Sequence, residues 1–146
     1  MTSMKYRLAW IMALVTMLAS IGMGATPAVT ALTSTGSLTA AYSSACATTT
    51  CVVVPMNSAV NSETWQITGT FSGTVTFEGT VDGTNWVATA VIPVGSTRTL
   101  TTTATAAGIW VQSTVGLTAV RARCSAYTSG TIVVTGKRSG AVPPAQ

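Results

Sequence analysis

The sequence contains no histidine, and among its 146 residues only three are acidic and three are cysteine. Without histidine the chain lacks the most common general base, and Ser/His and Cys/His catalytic arrangements are excluded. Three cysteines with no histidine and no C-x-x-C spacing do not form a tetrahedral zinc site. We therefore expect no catalytic residues, no metal and no cofactor, and we predict that the protein is not an enzyme.

The few charged residues also exclude other functions. Glu78 and Asp82 lie on one predicted hairpin with no sign of an enclosing cleft, which disfavours a glycosidase pair. Beyond residue 31, five basic side chains stand against three acidic ones, a net charge of +2. This balance gives no electrostatic case for nucleic-acid binding.

Small and β-branched residues, and not charged ones, dominate the composition. Charged residues make up 7% of the chain and hydrophobic residues 47%, and Thr, Ser, Ala, Val and Gly dominate. Such a composition favours strands and turns over helices. It is typical of an all-β extracellular or virion surface protein.

The longest apolar run lies near the N-terminus. Lys5 and Arg7 precede a hydrophobic stretch over residues 8–25, and small residues and a proline follow it. This order is typical of a signal peptide, although a run of about 18 residues also approaches the lower limit for a spanning helix. We predict a hydrophobic helix within residues 1–31 that acts as signal peptide or membrane anchor. Export to the periplasm, cell surface or medium follows, with membrane contact only through this segment.

The rest of the chain divides by its pattern. Residues 32–50 are rich in Ser, Thr and Ala without a sustained period, which indicates a linker or a weak first strand. Residues 51–139 hold short alternating runs with turn signals roughly every 8 to 12 residues. They predict a single antiparallel β-sandwich, or a jelly-roll-like domain, of seven or eight short strands. Residues 140–146 predict a flexible tail.

The clearest pattern is the segment 71–92, FSGTVTFEGTVDGTNWVATAVI. Val75 and Phe77 share one face of its first strand, as expected of a half-buried strand. Asp82 and Gly83 follow as residues that accept positive φ in a tight hairpin turn. The segment therefore predicts a β-hairpin.

The register of this hairpin determines where its tryptophan lies. An even loop, of two or four residues, puts the row of Val75 and Phe77 on the same face as the row that begins at Trp86, whereas an odd loop sets Trp86 opposite Thr80. We predict an even loop with Trp86 in the core. Parity along the preceding strand also places Trp65 in the core.

Two more alternating strands follow the Thr-rich run 97–108. Their apolar rows are Ile109, Val111, Ser113 and Val115 in the first, and Val120, Ala122, Cys124 and Ala126 in the second. The opposite faces carry Trp110, Arg121, Arg123 and Tyr127. If exposed, these side chains would form a stacking and hydrogen-bonding patch for a glycan or a neighbouring subunit. The alternative is that Trp110 covers the second face of a sandwich strand.

The cysteines permit more than one pairing. Cys46 and Cys51 are separated by four residues and can close a small loop in an exported protein. Cys124 would then be a buried thiol that acts as a small hydrophobe. Pairing of Cys124 with Cys46 or Cys51 is the alternative.

Two segments carry a family resemblance: WQITGTFSGTVTFEGTVDGTNWVA and GIWVQSTVGLTAVRARCSAYTSGTIVVTGKRS. Over about residues 51–139 the chain resembles a small β-sandwich module of tailed-phage and prophage virion-associated proteins. In that module an FEG strand end, a DGTNW hairpin, a G-x-W/Y-x-V strand, a GL-x-x-VR-x-R strand and an SG-T-I/V-x-V-x-G strand recur in this order. The resemblance implies a tail, fibre or head-decoration component without catalytic residues.

Two functions therefore stand as hypotheses. The first is a virion-associated structural or display module that packs against copies of itself or other virion proteins. The second is an exported lectin-like domain, because DGTNW also occurs in discoidin-like carbohydrate-binding modules. For it, the candidate ligand-binding residues are Trp110, Tyr127, Arg121, Arg123, Asp82 and Asn85, with cell-surface glycan as partner.

Overall fold

The computed structural model describes residues 33–57, 60–95 and 99–139, and within these ranges it consists of strands, turns and loops without a helix. Ten strands are present in the described residues: β1 Thr33–Leu38, β2 Cys51–Pro55, β3 Ser62–Thr68, β4 Phe71–Thr80, β5 Val87–Ala88, β6 Val91–Pro93, β7 Thr103–Ala104, β8 Gly108–Ser113, β9 Ala119–Gly130 and β10 Ile132–Ser139. The predicted all-β class is confirmed. The predicted number of seven or eight strands is too low, because the chain between β4 and β8 pairs in three pieces of two or three residues.

The strands form two antiparallel sheets. Sheet A has the order β1-β10-β3-β8-β6, and sheet B has the order β2-β9-β4-β5, with β7 also paired to β4. No helix in the described ranges is long and apolar enough to cross a membrane. The predicted N-terminal helix and signal peptide or anchor over residues 1–31, and the predicted tail over 140–146, lie outside the described residues.

Strand β1 extends the fold beyond the predicted start at residue 51. It pairs with β10 along its whole length, from Thr33 opposite Lys137 to Leu38 opposite Ile132. Leu38 is fully buried, so the burial of its side chain ties this end of the segment to the core. Residues 33–38 are therefore a strand of sheet A, which is the weak-first-strand alternative for the Ser/Thr/Ala-rich segment.

The two sheets share one hydrophobic core. Phe77 of sheet B lies between two tryptophans of sheet A, with ring centroids 6.1 Å from Trp65 and 5.7 Å from Trp110. Both distances fall in the range in which tilted aromatic pairs attract each other beyond the area they bury. Aliphatic side chains and one thiol complete the core: Leu38, Val52, Val54, Ile67, Val75, Val91, Ala104, Val120, Ala122, Cys124, Ile132 and Val134. The core positions predicted for Trp65, Val75 and Phe77 are confirmed.

Strand β8 has the opposite orientation to the expected one. Trp110 and Gln112 face the core, whereas Ile109 and Val111 are 41% and 37% exposed. Burying the indole removes more apolar surface from water than burying isoleucine or valine. Gln112 is tolerated in the core because its Oε1 accepts a hydrogen bond from Nε1 of Trp65 at 2.7 Å. The apolar alternation along this strand therefore predicted the wrong buried face.

The hairpin after β4 has an odd register, and the predicted even loop is wrong. Glu78 pairs with Ala88 and Gly79 with Val87, which brings Trp86 level with Thr80. Only two residues of β5 pair with β4 before the chain crosses to sheet A, where Val91 pairs with Gln112. Trp86 is consequently half-buried and lies outside the core.

Candidate functional site

The outer face of sheet B carries a charged cluster built on β4 and β9. Glu78 lies on the face opposite to Phe77 and pairs directly with Arg121, while Arg123 is two residues along β9 on the same face. Nε of Arg121 donates to one carboxylate oxygen of Glu78 at 2.6 Å. Nε and Nη2 of Arg123 contact the other oxygen at 2.9 and 2.8 Å. One carboxylate thus holds two guanidinium groups.

Two aromatic rings enclose these guanidinium groups. The central carbon of the Arg121 guanidinium lies 4.3 Å from the ring centroid of Trp86 and 5.2 Å from that of Tyr42. The same carbon of Arg123 lies 5.0 Å from the Tyr42 ring. These distances are those of cation–π contacts, which strengthen when the cation is shielded from water. We call Glu78, Arg121, Arg123, Tyr42 and Trp86 the Arg121 cluster.

The charges of the Arg121 cluster do not cancel. Burial alone would raise the pKa of Glu78, but hydrogen bonds from Arg123 and Arg121 and their positive charge outweigh it and lower the pKa. Glu78 is therefore ionised at neutral pH, and the cluster keeps one positive charge in excess. Arg121 is nearly buried at 7% exposure, whereas the side chain of Arg123 is 22% exposed. Arg123, beside half-buried Tyr42 and Trp86, is the part of the cluster that a ligand or partner can reach.

A disulfide lies beside the cluster, a few residues after Tyr42 along the chain. The structure joins Cys46 to Cys51, with an S–S distance of 2.07 Å. Nη1 of Arg121 lies 3.8 Å from the sulfur of Cys46, and the backbone N–H of Tyr42 donates to the carbonyl of Cys124 at 2.8 Å. Cys124 itself is a free, buried cysteine, and burial raises its thiol pKa.

The double substitution Cys46→Ser/Cys51→Ser is expected to lower the free energy of unfolding by about 2 kcal/mol, because a small loop is no longer closed in the unfolded chain. Urea unfolding with and without a reducing agent measures this difference. The reducing agent should destabilise the wild type and leave the double variant unchanged. An equal loss in both proteins would contradict the assignment, since Cys124 would then have to be the sensitive residue.

The structure brings only part of the predicted patch together. Arg121 and Arg123 share the cluster, but Trp110 is 8% exposed and lies in the core. A role of Trp110 in ligand binding required an exposed side chain, and this side chain is not exposed. Tyr127 packs against the core, and its hydroxyl donates to the carbonyl of Gly130 at 2.7 Å.

Asp82 and Asn85 close the hairpin turn. Oδ1 of Asp82 accepts backbone N–H groups of Thr84 and Asn85 at 2.8 and 2.7 Å, and Oδ2 accepts the side-chain amide of Asn85 at 2.6 Å. Hydrogen bonds from the side chain and backbone of Asn85 and from Thr84 hold the pKa of Asp82 well below its usual range. Gly83 has a φ of +77°, as the turn prediction requires. Both polar side chains are therefore engaged within the turn.

Sequence patterns alone did not identify Glu78, Tyr42 and Trp86 as members of the site. A usable signal was present for Glu78, because two arginines at i and i+2 share a strand face and require a counter-charge when that face is covered. Tyr42 lies in a segment without periodicity, which carried no such signal. In the described residues, no three or more acidic or cysteine side chains are grouped so that they could hold a metal ion.

Comparison with known proteins adds one fold relationship. No protein-family model and no curated protein matches the chain. Among solved structures, the fold is similar to the crystal structure of the SPBc2 prophage-derived protein YomS, with a TM-score of 0.55 and 14% sequence identity. The match covers 75% of this chain and 95% of that chain. At this identity the likeness establishes a shared fold, so the chain has the fold of a prophage-derived β protein.

Proposed function

We propose that this chain is a non-enzymatic structural or surface-display protein of a phage or prophage, which mediates protein–protein assembly or contact with the host surface. The observation that carries the proposal is the similarity to a prophage-derived protein over nearly the whole of that protein. The resemblance of residues 51–139 to a virion-associated sandwich module supports the same class. Its partners are then copies of itself or other virion proteins, with no cofactor and no nucleic acid.

The arrangement of polar groups supports a structural role. The carboxylates of Glu78 and Asp82 are both occupied by internal hydrogen bonds, so neither is available as a general base. Large apolar side chains are exposed instead, among them Val81, Val87 and Val115 at 67%, 66% and 74%. Exposed apolar side chains of this kind favour association with other proteins when they are contiguous.

Light scattering coupled to size exclusion tests the assembly function on the full chain. We expect a stable oligomer, or a stable complex with a structural protein encoded beside this gene. A monomer that binds neither itself nor such a protein would contradict the proposal. Virion association would be measured by detecting the protein in purified particles.

An exported lectin-like function is the second candidate, and the cluster is the observation that favours it. A half-buried tryptophan and tyrosine beside a partly exposed arginine are a combination that stacks on and hydrogen-bonds to sugars. A glycan array would reveal such binding, and Arg123→Ala should abolish it. Lys137→Ala, which removes an exposed positive charge from sheet A, is the matched control and should leave the signal unchanged.

A further inference from the structure

The guanidinium of Arg123 has one hydrogen-bonding edge that the Arg121 cluster does not use. Its Nε and Nη2 both contact the same oxygen of Glu78, at 2.9 and 2.8 Å. A guanidinium carries five N–H groups in a fixed plane, so this contact leaves a second edge, formed by Nη1 and the other hydrogen of Nη2. Nη1 has no hydrogen-bond partner among the described residues and is not one of their buried unpaired atoms, so this edge reaches the surface.

The chain has three acidic side chains, and two of them are out of reach of Arg123. Glu63 faces the core and is fully buried. Asp82 lies beyond Thr80, which is about 13 Å along β4 from Thr76, the strand partner of Arg123. Charges more than about 8 Å apart in solvent are largely screened at physiological ionic strength. The excess positive charge of the cluster is therefore available to a bound anion.

The exposed edge of Arg123 is small and isolated within the sheet. Its strand partners on either side, Cys51 of β2 and Thr76 of β4, are 6% and 8% exposed. A stable protein interface covers about 800 Å² on each partner, and buried neighbours supply none of that area. A single guanidinium edge between buried neighbours is suited to one anionic group of a small ligand.

Tyr42 is held in a fixed position beside the guanidinium. Its ring centroid lies 5.0 Å from the central carbon of the Arg123 guanidinium. Its backbone N–H donates to the carbonyl of Cys124 at 2.8 Å, and its hydroxyl donates to the carbonyl of Ser44 at 3.1 Å. A ring held at both ends loses little conformational entropy when a ligand packs against it. An acidic sugar presents the matching pair of groups, a ring with C–H faces and a carboxylate attached to it.

We propose that the free edge of Arg123 binds the carboxylate of an acidic sugar, whose ring packs beside Tyr42. The two parallel N–H groups match the two oxygens of a planar carboxylate, and hydrogen bonds between ionised groups are about twice as strong as those between neutral groups. Glu78 holds the guanidinium in place through its other edge. The inference rests on the exported lectin-like function and names its ligand class, which is carboxylated rather than neutral glycans.

A glycan array probed with the full chain at pH 7 tests the ligand class. The array presents glycans that end in uronic or sialic acids, each beside the same glycan with its carboxyl group methyl-esterified. Esterification removes the charge and keeps the sugar ring, so the ester is the matched ligand control. Calorimetric titration of the best pair should show that the acidic form binds at least about tenfold more tightly than its ester.

Substitutions at Arg123 test the site itself. Arg123→Lys keeps the positive charge but has no planar edge, so it should weaken binding of the acidic glycan about tenfold. Lys137→Ala removes an exposed charge from sheet A and should leave the binding unchanged. Circular dichroism verifies that both variants are folded.

Several results would overturn the inference, and they separate it from the lectin-like function. Equal binding of acidic glycans and their esters would leave the lectin-like function standing without the carboxylate contact. Binding of acidic glycans that Arg123→Lys does not weaken would place the contact elsewhere. No binding to any glycan would refute both. A protein complex that Arg123→Ala disrupts, in the absence of glycan binding, would assign the edge to an acidic side chain of a protein partner.

Discussion

Replacing Glu63 with glutamine is expected to raise the free energy of unfolding at pH 8 by roughly 3 to 5 kcal/mol and to change it little at pH 4. Glu63 is fully buried on β3, and neither carboxyl oxygen has a hydrogen-bond partner among the described residues. The carboxyl lies over Gly136, beside the ring of Trp65 and a methyl group of Val54. An ionised carboxylate in such surroundings is strongly disfavoured.

The direction of the pH dependence follows from the pKa of this group. Burial raises the pKa of Glu63 from 4.5 to about 8, and the nearby positive charge of Arg138 offsets part of this effect. The protonated carboxyl therefore contributes stability that is fully present below pH 4.5 and is lost as the pH rises through about 8. Glutamine has the same shape and no charge to bury, so the variant should not show this loss.

Urea unfolding at pH 4, 6 and 8 measures the effect. The difference between Glu63→Gln and the wild type should grow with pH across this range. Asp82→Asn is the matched control, because Asp82 is exposed and its pKa is held below the usual range. A constant difference between pH 4 and pH 8 would show that Glu63 does not take up a proton on folding.

The substitution Glu78→Gln is expected to lower the free energy of unfolding by about 3 kcal/mol at pH 7. It leaves the nearly buried Arg121 without a counter-charge. Loss of one partner from a buried ion pair costs about 3 to 5 kcal/mol. The double variant Glu78→Gln/Arg121→Met should lose less, because it removes the stranded charge as well. Thermal or urea unfolding of both variants measures the difference.

A matched control separates this effect from a simple change of net charge. Lys137→Met removes an exposed charge and should alter the free energy of unfolding by less than about 0.5 kcal/mol. A double variant less stable than Glu78→Gln alone would contradict the account. Because the pKa of Glu78 is lowered on folding, its contribution is present above about pH 4.5 and lost as the pH falls, opposite to Glu63.

The orientation of some strands could be predicted, because the face that is apolar in the sequence is also the face that the packing of the two sheets buries. Val75 and Phe77 on β4, and Val120 and Ala122 on β9, are apolar at every second position and are fully buried. Because successive side chains point to opposite faces of a strand, only one orientation of the strand buries such a row. The turn at Asp82 and Gly83 could also be predicted from the sequence, because few residues accept its backbone conformation.

The candidate site could not be predicted in the same way, because its members come from separate parts of the chain. Tyr42, Glu78, Trp86 and Arg121 meet only after β4 pairs with β9 and the segment before β2 folds over the sheet. An even loop would place Trp86 in the core, but the odd register places its ring against the guanidinium of Arg121. A shift of one residue changes the face of every side chain that follows.

The sequence by itself determined the strand-forming character, the tight turn and the lack of histidine chemistry, because these depend on residue type and local period. Only the tertiary structure decided which face of β8 is buried, where Trp86 lies and which carboxyl is paired. Trp110 entered the core because the opposite sheet supplied Phe77 for its ring, and because Gln112 beside it found a partner in Trp65. Glu63 and Glu78 look alike in the sequence, yet one faces the core and the other faces two arginines. Their opposite pKa shifts follow from the partners that the fold brings to each.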